Sequence, residues 1–86
     1  MRIKNLAYHP NQVTIRRGTA VRWLWLDAPA DSHTVTSIRH RGHGLRFPGH
    51  PDAQWTGAYS YTFRKAGTYY YMCTVHDFMH GKVVVR

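Results

Sequence analysis

The sequence predicts an all-β protein, an antiparallel β-sandwich of about seven or eight short strands. Three observations carry this reading: short runs with apolar residues at every second position, turn residues between nearly all of them, and no stretch with a sustained helical period. Its 86 residues make one domain, 1–86, with a small core.

Arg2 to Tyr8 alternates weakly around Ile3 and Leu6, and His9-Pro10-Asn11 reads as the turn that follows. Gln12 to Arg16 alternates cleanly, with Val13 and Ile15 on one face, until Arg17-Gly18 ends it. In the next run Val21, Trp23 and Trp25 share one face while Leu24 and Leu26 share the other, the two-sided apolar character of a central strand. Asp27 to Ser32, with Pro29 and two aspartates, is a loop that delivers His33 to the head of the strand His33 to Ile38. Arg39 to Gly57 has no period; its three histidines, four glycines and two prolines predict a long excursion with one irregular strand near Leu45 to Phe47. Tyr59 to Phe63 alternates again, Lys65-Ala66-Gly67 turns the chain, and Thr68 to Cys73 places Tyr69, Tyr71 and Cys73 on one face. Lys82 to Val85 closes the sheet. Trp23, Trp25, Tyr61, Phe63, Tyr69 and Tyr71 read as core.

Between the last two strands lies Cys73-Thr74-Val75-His76-Asp77-Phe78-Met79, where the only cysteine, a histidine and a methionine recur at intervals of three. A thiolate, an imidazole and a thioether form a mostly soft donor set, suited to copper moving between Cu(I) and Cu(II). The candidate for a fourth ligand is His33, at a strand start. In a sandwich, strand ends cluster at two poles, so His33 and the loop can meet. The metal set is then His33, Cys73, His76 and Met79, that of a blue-copper electron-transfer centre.

Tyr71 to Met79 and Gly81 to Val85, with Ser32-His33-Thr34-Val35 upstream, resemble the cupredoxin (plastocyanin/azurin) family of type 1 copper proteins, and the short ligand loop is similar to that of its amicyanin-type members. The resemblance implies a Greek-key β-sandwich, one copper ion at one pole, and transport of single electrons between redox proteins, not catalysis. Cys73 would then be the main electronic contact, Met79 the weak axial ligand and His76 the exposed electron port. Family members usually carry Asn after the first histidine. Thr34 stands there, so its amide can still donate to the thiolate, and a Thr34–Thr74 bond would have to replace the side-chain tie. Val75 and Asp77 occupy positions where short-loop members tend to have proline. The Val75 amide is thus free to donate a second hydrogen bond to the sulfur, and the Asp77 carboxylate to favour protonated His76.

Other readings are weaker. Zinc seldom takes methionine, and nothing resembles the oxyanion hole that a Cys73–His76 nucleophile would need. His40, His43 and His50 lack diagnostic spacing for a second metal site. A copper carrier or store, handing over the metal instead of the electron, is the alternative with the same ligands. A nucleic-acid-binding barrel conflicts with aromatics that fall on the core face.

Twelve Lys and Arg against four Asp and Glu give a net charge of +8, a surface attracted to acidic proteins, anionic membrane surfaces or nucleic acid, so that the redox partners the resemblance implies would carry acidic docking surfaces. In amicyanin-like members these are a dehydrogenase and a c-type cytochrome. No apolar run is long enough to span a membrane, and the lone cysteine excludes an internal disulfide. A monomer is expected. The resemblance implies a periplasmic or extracellular home, while the lack of a signal peptide before the first strand keeps a cytoplasmic one open.

Overall fold

The computed structural model describes residues 1–86. Nine strands are present: β1 (Arg2–Lys4), β2 (Ala7–His9), β3 (Gln12–Ile15), β4 (Thr19–Leu26), β5 (His33–Ile38), β6 (His50–Gln54), β7 (Thr56–Phe63), β8 (Gly67–Met72) and β9 (His80–Val85). They form two sheets, ordered β2-β1-β4-β7 and β3-β9-β8-β5-β6, with the apolar faces turned inward. The all-β sandwich is therefore as read. Non-sequential neighbours in both sheets are the crossed connections of a Greek key. Two of its pairings, β1 with β4 and β3 with β9, are parallel.

Three local readings change. The run from Arg2 to Tyr8 is folded back on itself: Asn5 and Leu6 both have positive φ, 54° and 59°, which makes a tight reversal between β1 and β2. No strand forms at Leu45 to Phe47. The strand of this region is β6, at the sheet edge, where Pro51 can sit without breaking an internal ladder. β4 is indeed interior to its sheet, with Val21, Trp23 and Trp25 buried, but its other face meets solvent and Leu26 is 49% exposed.

The core is aromatic. Trp23 is fully buried, stacks on Phe47 and Tyr59 at 5.9 and 5.5 Å, and meets Tyr71 edge-on at 5.5 Å. Phe47 reaches this cluster from the excursion and plugs the gap between the sheets. The excursion is pinned by hydrogen bonds from Leu45 N to Thr68 O and from Phe47 N to Ser37 Oγ. Its first half thus lies by the start of β8, the end opposite Cys73.

Tyr71 and Gly81 are paired across β8 and β9, and a methyl group at Gly81 would overlap the buried Tyr71 ring. Gly81→Ala is predicted to destabilise the fold by about 1–3 kcal/mol, seen as a lower urea midpoint with an unchanged slope.

Candidate metal centre

β5 begins irregularly. It pairs with β6 at His33–Gln54 and Val35–His50, so that Pro51, Asp52 and Ala53 all lie opposite the single residue Thr34 and the bulge is in β6. Two carbonyls here are taken by side chains from the opposite sheet: the Trp25 indole donates to His33 O at 2.9 Å, and the Tyr8 hydroxyl donates to Thr34 O at 2.6 Å. Burial pushes the Tyr8 hydroxyl well above its ordinary pKa, with smaller contributions from Cys73 and Tyr71, so it remains a donor across the working pH range. These two hydrogen bonds fix the backbone that carries His33.

Thr34 faces the ligand loop, just beyond the Thr36–Met72 pair of β5 and β8. Its amide donates to Cys73 Sγ at 3.4 Å, and its hydroxyl oxygen accepts from the Thr74 amide at 3.0 Å. The Thr34 and Thr74 hydroxyls are also 3.4 Å apart, so threonine supplies the tie that asparagine was expected to provide. The loop closes on itself through Cys73 N to Met79 O at 3.1 Å and Met79 N to His76 O at 2.9 Å. A second amide does reach the sulfur, at 3.4 Å, but it belongs to His76 and not to Val75. A proline at position 75 would therefore remove no donor to the sulfur.

These contacts bring His33, Cys73 and His76 together. Each histidine places Nδ1 3.9 Å from Cys73 Sγ, and the three donor atoms lie within 4.8 Å of one another. One ion bonded at about 2.0–2.3 Å to each donor can bridge 3.9 Å. Cys73 is a free, fully buried thiol, His33 is fully buried, and Met79 on the same loop is 2% exposed. His76 is half-buried, its ring 5.9 Å from that of Phe78, which is 64% exposed. A thiol, two imidazoles and a buried thioether at this pole fit copper.

Asp27 is the residue that sequence reasoning missed. Its carboxylate lies 2.7 Å from His33 Nε2 and accepts from the Asn5 and Leu6 amides at 3.2 and 3.3 Å, so one side chain ties the β1–β2 reversal to a candidate ligand. With Nε2–H directed at the carboxylate, Nδ1 keeps its lone pair toward Cys73. Burial opposes the charge on Asp27, but the hydrogen bonds from His33, Leu6 and Asn5 outweigh it and hold its carboxyl below the usual range. This is the only contact in the chain between a carboxylate and a histidine, lysine or arginine side chain, and none joins Asp77 to His76; the Asp77 carbonyl instead faces His80 Nε2 at 2.7 Å. The expected carboxylate–histidine contact thus exists at the other histidine. No sequence period links a loop aspartate to a histidine six positions on.

The three histidines of the excursion do not converge. His40 and His43 exchange backbone hydrogen bonds, His50 Nδ1 meets the Asp52 carbonyl, and the only group of three or more candidate donors is His33, Cys73 and His76.

The chain matches the family model "Copper binding proteins, plastocyanin/azurin family" over residues 1–86. It is 38% identical over 85 residues to the amicyanin of Paracoccus denitrificans, covering 98% of this chain and 62% of that protein. It is 33% identical over 92 residues to amicyanin-alpha of Methylorubrum extorquens, covering 100% and 70%. The amicyanin of Paracoccus versutus, 35% identical by sequence, is covered to 61% of its length, so the chain spans about three fifths of the Paracoccus relatives. The crystal structure of that protein superposes with a TM-score of 0.75 at 34% identity, over 99% of this chain and 77% of the other. With the match running through both the sandwich and the ligand loop, the chain belongs to the plastocyanin/azurin family of copper-binding proteins.

Proposed function

We propose that His33, Cys73, His76 and Met79 bind one copper ion as a type 1 blue centre, and that this single domain carries electrons between redox proteins. The observation that carries the reading is the buried cluster of two Nδ1 atoms and one Sγ, with two backbone amides donating to that sulfur. Copper bound there supplies a one-electron change between Cu(I) and Cu(II).

The remaining work falls to the chain. The Thr34 and His76 amides stabilise negative charge on Cys73, one of the levers on the potential of such centres. Asp27, Trp25 and Tyr8 hold His33 still, so little rearrangement accompanies a change of charge at the site. Met79 is shut away from water, while half-buried His76, with Phe78 and Val75 exposed beside it, offers a small apolar contact. Brief redox encounters typically use small interfaces. Net positive charge attracts acidic partners from a distance, a c-type cytochrome or a dehydrogenase being of the class expected, and the contact itself is apolar. The carrier works as a monomer in a periplasmic or extracellular compartment. No helix of the chain is long and apolar enough to cross a membrane.

The competing reading, a copper carrier, would need an open and labile site, whereas Cys73, His33 and Met79 are all buried. Reduced copper-loaded protein mixed with an oxidised c-type cytochrome and a Cu(I) chelator separates the two. Fast reduction of the cytochrome with copper retained is expected; loss of copper to the chelator at a comparable rate would favour the carrier. Asp27→Asn is predicted to weaken copper binding about 10-fold to 100-fold, measured by chelator competition, because it loosens the orientation of His33. An unchanged affinity would remove Asp27 from this account.

A further inference from the structure

The positive charge of this chain is concentrated away from the metal end. Hydrogen bonds from Arg17 N to Arg86 O and from Gly18 N to Phe63 O draw together the β3–β4 turn, the end of β7 and the end of β9. This gathers Arg16, Arg17, Arg64, Lys65 and Arg86 at the pole opposite Cys73. Arg46, brought in by the excursion, lines a cavity of about 530 Å³ with Arg64 and Lys65. All six are exposed, and none is in an ion pair. Asp27, Asp31 and Asp77 sit in loops at the metal end and Asp52 in β6, so no carboxylate side chain offsets the cluster. The exposed large apolar side chains, Leu26, Trp55, Val75 and Phe78, are also on strand ends and links of the metal pole.

We propose that this basic pole binds an anionic lipid bilayer, leaving the metal end turned toward solution. A specific protein interface needs an apolar centre, and this pole has none exposed. Single-stranded nucleic acid needs open aromatic faces for stacking, whereas Tyr69 is buried and spends its hydroxyl on Lys65 O, and Tyr61 packs against the core. A plane of anionic headgroups asks only for several cations within reach of one surface. The consequence is orientation: the exposed rim around His76 faces the partner's side. This holds whether the centre passes on electrons or metal.

Co-sedimentation with phosphatidylglycerol/phosphatidylcholine vesicles and with pure phosphatidylcholine vesicles, at low and high salt, tests it. Binding is expected only to the anionic vesicles and is lost at high salt. Arg64→Ser/Lys65→Ser is expected to weaken it about 25-fold, at about fivefold per cation, and Arg2→Ser/Arg22→Ser, the same charge change on a sheet face, far less. Both variants alter exposed, unpaired side chains, and an unchanged unfolding midpoint verifies that they fold. Failure to bind anionic vesicles at low salt would overturn the proposal, as would equal losses in the two variants. Tighter binding to a single-stranded oligonucleotide, with the same dependence on Arg64 and Lys65, would assign the pole to nucleic acid instead.

Discussion

The join between Thr34 and the Cys73–Thr74 segment holds together two parts of the chain about forty residues apart, and the metal end depends on it. The β5–β8 pairing ends at Thr36–Met72, and just beyond it Thr34 meets the Cys73 sulfur and the Thr74 amide. The Thr34 amide goes to the sulfur and its carbonyl to Tyr8, so backbone groups beyond the ladder become the support for a ligand cluster. Trp25 and Tyr8 belong to the four-stranded sheet while β5 belongs to the five-stranded one, and the clamp therefore also locks the two sheets together at this pole.

Much of this was legible in the sequence, where the period of two survives as burial. Val21, Trp23 and Trp25, like Tyr69, Tyr71 and Cys73, are buried on the faces their alternation predicts. The Cys73, His76 and Met79 spacing was equally readable, because a short loop brings near neighbours in sequence together in space. The misreadings share a cause. Asn5-Leu6 carries no glycine and looks like strand, yet both residues take positive φ where the Asp27 carboxylate receives their amides. β6 contains His50 and Pro51 and looks like loop, yet edge position tolerates the proline. Asp27 was invisible as a partner of His33 because a tertiary contact set its role.

The fold separates two kinds of surface. Reactive side chains and exposed apolar residues lie at one pole, unpaired cations at the other, and the aromatic core fills the space between. Trp23, Phe47 and Tyr71 make that middle layer rigid, so the start of β5 and the ligand loop rest on a base that does not yield readily. Soft donors confined in this way suit a centre that must change charge with little movement. The long excursion contributes Phe47 to the core and Arg46 to the cationic end.

The most direct test of a blue-copper centre is an absorption spectrum of the protein titrated with Cu(II), then reduced with ascorbate and reoxidised. The account predicts an intense visible thiolate-to-copper band that bleaches and returns and is absent in Cys73→Ala. Tight copper binding without that band, or no copper binding, would contradict it.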